Sequence, residues 1–336
     1  MLKLLTETAG VSGFCSPVRK VILDNISSGN VTVDALGNII VYKKGRKSDK
    51  KVMFCAHMDE VGFMVTGITD KGYIKFTSCG GIDTRVIVSK RVKIGDKKIP
   101  GVIAYKAVHL QGKDEKGKAV DEEKLSVDIG ARDKEEAEKL VSIGDYIAFD
   151  TEFSYFGDGF MKGKALDDRV GCACLLELCK KEWDYDFYGV FSVCEEIGGI
   201  GARAAAARIK PDMALVLEGT TASDVYGCEE KDYVTKLGNG VCIPVRDRSM
   251  IADRKMVEFL KKCATDENIK WQYKYAATGG TDGGSIHITG EGIPTAIIAL
   301  PCRYIHSPVS VASVSDYEEM LSLADAFAKR ALEILM

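Results

Sequence analysis

A chain of 336 residues that is 46% hydrophobic is long enough to bury one large core and a second, smaller one. Its formal net charge of −3 gives no electrostatic reason to expect nucleic acid or an acidic membrane surface as a partner, and no apolar run approaches the roughly 20 residues of a membrane-crossing helix. The eleven cysteines are odd in number, form no C-x-x-C pair and lie mostly inside apolar runs, the pattern of reduced, buried thiols in a cytoplasmic protein rather than of disulfides or a zinc ribbon.

The N-terminal "MLKLLTETAGVSGF" reads as the start of an amphipathic helix followed by a Gly/Ser turn, without the long apolar stretch of a signal peptide. "VTVDALGNIIVYKKG" alternates apolar residues about Leu36-Gly37-Asn38, a hairpin signal. "KVMFCAHMDEVGFMV" reads as one nearly continuous apolar strand interrupted by His57, Asp59 and Glu60. From about Gly67 to Asp150 the chain changes to short strands, glycines and charged turns, with one helix at "DKEEAEKLV". Thereafter helices ("RVGCACLLELCKK", "IGARAAAARI", "RKMVEFLKKCATDE" and the final "SDYEEMLSLADAFAKRALEILM") alternate with strands ("GVFSVCEE", "MALVLE", "TAIIAL"). Such alternation predicts an α/β fold, an α/β/α sandwich about a largely buried sheet. Residues 1–66 and 151–336 would form it, with 67–150 as an inserted β-rich domain.

Polar residues at the ends of these strands carry the chemistry. His57 precedes Asp59 by two positions, so in a strand the carboxylate would share its face and orient the imidazole. Asp167 and Asp168 stand before an apolar helix, where they serve either as a cap or as a bridge between two cations, with Arg169 neutralising the second aspartate. Glu195 and Glu196 end an apolar strand and run into "IGGIGA", whose glycines permit a tight turn that swings both carboxylates toward one site. Glu218 ends the next strand, and His306 follows another after a short loop. Open α/β sheets hold their ligands beyond the carboxyl ends of their strands. Two imidazoles with several carboxylates suit zinc, cobalt or manganese without any thiolate. One metal cannot use all of His57, Asp167, Glu195, Glu196, Glu218 and His306, but two metals about 3.5–4 Å apart with a bridging water could, with the spare carboxylate as general base.

"AHMDEVGFMV", "GKALDDRVG", "VCEEIGGIGA", "LEGTTASD", "GGTDGGSIHITGEGIPT" and "YIHSPVSVASVSDYEEM" resemble, in order, the motif blocks of the tetrahedral (TET) aminopeptidases. That family includes glutamyl and deblocking aminopeptidases, and some members carry an endoglucanase label. The resemblance covers essentially the whole chain. It implies a dinuclear-metal peptidase domain interrupted by a small β-rich domain, assembly into a homododecamer, and hydrolysis of N-terminal peptide bonds. Carried over, it makes Asp167 the bridging ligand, pairs His57 with Glu218 and Glu196 with His306 at the two metals, and makes Glu195 the general base and Asp59 the residue that orients His57. Glu218 stands where the family often has Asp, and Cys15 where it often has an acid.

The loop "TGGTDGG" either lines the substrate pocket through Gly279, Gly280, Thr281 and Asp282 or is simply a turn. Among weaker candidates, His109 is read mainly as structural, His287 as core, and Arg246 as an outside candidate for an acidic substrate side chain. Competing readings are a dinuclear deacylase or dipeptidase, whose inserted domain falls later in the chain, an endoglucanase, for which only two tryptophans are present and the histidines go unexplained, and a non-catalytic assembly protein, which would not need Glu195.

Overall fold

The computed structural model describes residues 1–112 and 117–335; residues 113–116, within the inserted domain, lie outside them. Four parallel strands form the middle of the large sheet, in the spatial order Asp186–Ser192, Lys51–His57, Met213–Thr221, Thr295–Arg303. Antiparallel strands extend it at both sides: Asn30–Val33 and Ile39–Lys43 at one, Ser310–Ser313, Phe160–Gly163 and Ser154–Phe156 at the other. The central strands are buried along nearly their whole length because helices cover both faces. Leu166–Cys179 and Val314–Arg330 pack on one face, Ile200–Ile209 and Asp282–His287 on the other. Helix Leu166–Cys179 is apolar almost all round because it lies between the sheet, the last long helix and the N-terminal helix Leu2–Glu7. The alanine run of Ile200–Ile209 lets that helix sit close to the strands.

Six short strands close into a barrel in the order Gly62–Ile68, Ile74–Cys79, Ser126–Asp128, Ile99–Ala104, Arg91–Ile94, Tyr146–Phe149. Its core is separate from that of the sandwich; Phe63 meets Phe76 and Phe149 edge to face, with centroids 4.7 and 5.5 Å apart. The helix expected in "DKEEAEKLV" is Lys134–Leu140, whose first turn is capped by Asp133 accepting from the Glu136 N–H.

One expectation is corrected here. "KVMFCAHMDEVGFMV" is two strands in two domains: Lys51–His57 ends in the sandwich sheet and Gly62–Ile68 opens the barrel. The first seam therefore falls within residues 58–61, not after 66. Met53 to Phe63 are buried without interruption, so the hydrophobic pattern carries no mark of the change from one core to the other.

Candidate active site

The parallel strands bring their carboxyl ends to one edge, and a cavity of about 810 Å³ opens there, lined by Asp167, Glu195, Glu196, Glu218 and His306 among others. His57 is the last residue of its strand and is buried. Its Nε2 lies 3.1 Å from Asp167 Oδ1 and 3.1 Å from Glu218 Oε1. Its Nδ1 lies 3.1 Å from the carbonyl oxygen of Asp59 and 3.6 Å from that residue's carboxylate. His306 repeats the arrangement: Nδ1 is 3.0 Å from the Gly81 carbonyl oxygen, and Nε2 is 3.3 Å from both Asp167 Oδ2 and Glu196 Oε2. A carbonyl accepts from Nδ1 of each ring, which leaves both Nε2 atoms facing one space. The Asp167 carboxylate lies between the two rings, one oxygen toward each.

Asp59 does not share a strand face with His57, because the strand ends at the histidine. It sits in the crossing segment, where its carboxylate accepts the Ser12 hydroxyl at 2.7 Å and the N–H groups of Glu195 and Glu196 at 3.1 and 3.2 Å. The strand before those glutamates ends at Ser192, and Cys194 has a left-handed backbone (φ +59°). The N–H groups of Gly198 and Gly199 then donate to the Glu195 carbonyl oxygen, closing the turn.

The two aspartates of "LDDR" divide their roles. Both have non-helical backbone torsions at the head of their helix. Asp168 turns inward and accepts the N–H groups of His57 and Gly171 at 3.1 and 2.9 Å. Arg169 does not neutralise it: the guanidinium donates to the carbonyl oxygens of Leu5 and Thr8 and reaches Glu60 at 3.5 Å. Glu60 also holds Lys164 at 2.6 and 2.7 Å and the Gly10 N–H at 2.9 Å, all buried. The sequence reading assigned no role to Glu60 or Lys164, although both stand inside the motif blocks.

Of the glycine-rich loop, Gly279, Gly280 and Thr281 line the cavity. Asp282 does not. It is buried behind the Glu195–Gly199 turn, where it accepts from the Ser192 hydroxyl and from the Cys55 thiol at 3.6 Å. As the first residue of a short helix its side chain points back into the sandwich. His287 ends that helix half-buried, with Nδ1 3.1 Å from the Gly283 carbonyl oxygen, and is not core. Arg246 and His109 are exposed and line no part of this cavity. Lys274, Ser249 and Thr221 do line it; "QYKYAA" carries no motif that singles out its lysine.

Crowding of acids dominates the electrostatics. Burial raises Glu195 and Glu218 well above the usual carboxylate range and Glu196 to about 7. For Asp167, burial is outweighed by hydrogen bonds from His306 and His57, and its pKa falls well below the ordinary value. For His306, burial is outweighed by its bond to Asp167 and the charge of Glu196, and its pKa rises to about 9. Ligand atoms of His57, Asp167 and Glu196 lie within 4.8 Å of one another, as do those of His57, Asp168 and Glu218. Two backbone N–H groups already engage Asp168, so Asp167 is the better donor. Glu218 Oε2 is buried with no hydrogen-bond partner, an arrangement that a cation would satisfy. Imidazole nitrogens and carboxylate oxygens without thiolate fit a divalent metal.

The fold matches that of known aminopeptidases. A structure of an aminopeptidase from the archaeon Desulfurococcus kamchatkensis superposes with a TM-score of 0.93 at 34% identity, covering 98% of this chain and 93% of that one. The TET1 peptidase of Pyrococcus horikoshii, described as assembling into a tetrahedron or a large octahedral shell, gives 0.88 at 31%, with 98% of each chain covered. A Thermotoga maritima structure described as an endoglucanase gives 0.83 at 33%, covering 100% and 98%. In sequence, a putative aminopeptidase of Acetivibrio thermocellus is 41% identical over 327 residues, 96% of each chain, and the lysyl aminopeptidase of Pyrococcus furiosus is 32% identical over 337 residues, 97% of this chain and 95% of that one. The model of the M42 glutamyl aminopeptidase family matches residues 37–323. The chain belongs to the M42 aminopeptidase family.

Proposed function

We propose that this cavity removes N-terminal residues from peptides, using two divalent cations held by His57, Asp167, Glu196, Glu218 and His306, with Glu195 as the proton-transferring group. The observation that carries the reading is the Asp167 carboxylate, placed between two imidazoles whose Nε2 atoms are both turned toward it. Asp167 would bridge, His57 and Glu218 would complete one site, and Glu196 and His306 the other. Zinc best matches this donor set; cobalt and manganese also suit it. Bound there, such cations supply Lewis acidity and ease the deprotonation of water. Burial raises the pKa of Glu195, so its carboxylate takes a proton from water and releases it to the leaving amine nitrogen. Asp59 holds the Glu195 turn and the His57 ring together. Gly279 and Gly280 leave room for the peptide backbone beside the reacting bond.

The endoglucanase alternative lacks support in the cavity. Trp183 is packed in the core, Trp271 lies on the strand Trp271–Tyr273, and neither lines the site. The inserted domain precedes Asp167 in the chain, as the peptidase reading expects and the deacylase or dipeptidase reading does not. A homododecamer in the cytoplasm completes the proposal, on the likeness to the tetrahedral shell and on the unpaired cysteines. No described helix is long and apolar enough to cross a membrane.

The test is hydrolysis of aminoacyl-anilides by metal-depleted protein before and after addition of zinc or cobalt, beside Glu195→Gln. Metal-dependent release lost in the variant, with metal still bound, supports the reading. Release from a glucan or an acyl-amino acid, and from no anilide, overturns it. Light scattering reads the assembly, and a monomer would refute the dodecamer.

A further inference from the structure

The two imidazoles of the site are supported from different parts of the chain. Nδ1 of His57 faces the Asp59 carbonyl oxygen at 3.1 Å, the ring is buried, and its neighbour Glu218 stands in the sandwich strand Met213–Thr221. Nδ1 of His306 faces a carbonyl oxygen of the inserted domain instead, that of Gly81, at 3.0 Å and across 225 positions of sequence. Gly80 and Gly81 directly follow Ile74–Cys79, a strand of the barrel.

The loop of His306 gives its ring little support of its own. The strand before it ends at Arg303, and both Tyr304 and His306 have left-handed backbone (φ +58° and +57°). Its side chain is 36% exposed, against 1% for His57. The same barrel segment also backs Glu196, whose carboxylate lies beside His306. Gly80 has φ +92°, and a Cβ there would stand 3.3 Å from Glu196 Cβ and 2.8 Å from Val61 Cγ1. Val61 belongs to the barrel core, so Gly80 is wedged between that core and the Glu196 turn, in a backbone conformation and a space that suit glycine. The far side of the segment is pinned by Asp83, whose carboxylate accepts the Arg85 N–H at 2.9 Å.

We propose that Gly80 and Gly81 are positioning residues through which the inserted domain orients His306 and backs Glu196, so that the cation held by this pair depends on how the barrel docks and the cation at His57 and Glu218 does not. The proposal rests on the two-cation reading above and adds an inequality between its two sites. A ligating imidazole keeps its aim through the partner of its other nitrogen, and here that partner belongs to a separate domain. The barrel is thereby part of the site as well as a candidate surface for assembly.

The experiment is a cobalt titration of metal-depleted, full-length protein, followed by visible absorption and by metal content after gel filtration. Wild type is compared with Gly80→Ala and Glu218→Gln. Wild type should bind two equivalents per chain. In Gly80→Ala one equivalent should weaken by about 10- to 100-fold, the usual cost of losing an orienting partner, while the other keeps its affinity. Glu218→Gln should weaken the equivalent that Gly80→Ala spares. Should Gly80→Ala not fold, as circular dichroism would show, zinc-loaded wild type labelled with ¹⁵N-histidine still decides. The His306 Nδ1–H, assigned with His306→Gln, should then be protected from exchange with solvent, and exchange at the unprotected rate overturns the proposal. Equal weakening of both equivalents or of neither in folded Gly80→Ala, or loss of the same equivalent in both variants, overturns the role of the barrel segment and leaves the aminopeptidase reading standing. A wild type that binds fewer than two cations overturns the two-cation reading and this proposal together.

Discussion

The carboxylate of Asp59 accepts the backbone N–H of Glu195 at 3.1 Å, although 136 residues separate them. The same carboxylate lies 3.6 Å from Nδ1 of His57. One residue thus serves both: its backbone carbonyl oxygen lies 3.1 Å from Nδ1 of His57, while its carboxylate stands near the ring and anchors the turn that carries Glu195. Asp59→Ala should lower metal affinity and activity together, by about 10- to 100-fold for loss of such an orienting partner. Zinc competition titrations beside anilide kinetics check this; unchanged affinity would confine Asp59 to the turn.

Glu195→Gln keeps the shape of the side chain and removes its basicity. Hydrolysis is expected to fall by about 10²- to 10⁴-fold while two metals per chain remain bound. Metal analysis of the purified variant separates loss of chemistry from loss of the site.

Gly219 follows Glu218, and a Cβ there would stand 2.9 Å from Asp167 Cβ and 3.0 Å from its Cα. Backbone cannot yield as a flexible side-chain end would. Gly219→Ala should therefore displace Asp167 and weaken metal binding by at least about tenfold, with little change in overall fold by circular dichroism.

Glu60 is paired with two buried cations, Lys164 and Arg169, and offsets one of their two charges, where the N-terminal helix, the crossing segment and the start of helix Leu166–Cys179 meet. Removing the acid leaves both charges without their counter-ion. Glu60→Ala should lower the unfolding free energy by about 3–5 kcal/mol. Denaturant unfolding measures it, and a loss below about 1 kcal/mol would show that the cluster is solvated.

Metal binding should strengthen with pH. In the metal-free protein Glu196 titrates at about 7 and His306 at about 9, and a ligand must shed its proton to coordinate. Between pH 6 and 9 each proton displaced strengthens affinity by up to about tenfold per pH unit. For Glu196 the folded pKa lies above its unfolded value of 4.5, so its contribution to metal-free stability is complete below about 4.5 and is lost as pH rises through 7. Thermal melts of metal-free and zinc-loaded protein across that range should diverge as pH rises. Calorimetry in buffers of different ionisation enthalpy counts the protons released.

Much of the site is legible in the sequence because its acids and histidines follow apolar runs, and a charged residue at the end of a buried strand stands out from its surroundings. The seam at residues 58–61 is not legible, because both domains bury the chain on either side of it. Lys274 escapes notice for a different reason. A lysine between Tyr273 and Tyr275 has the pattern of any half-exposed strand end, and only the return of residues 278–281 beside it makes it part of a cavity wall.

Sequence by itself determined the sandwich, the inserted β-rich unit and the chemical types gathered at the strand ends, since burial periodicity and residue chemistry are local properties of the chain. Tertiary structure decided which aspartate of "LDDR" faces the cavity, that Arg169 serves Glu60 rather than Asp168, and that Asp282 lies behind the Glu195–Gly199 turn instead of in front of it. Those outcomes depend on hydrogen bonds between segments more than a hundred residues apart, such as Asp168 to the His57 N–H and Asp59 to Glu195. The direction of a side chain at a turn is set by the partners the fold brings to it.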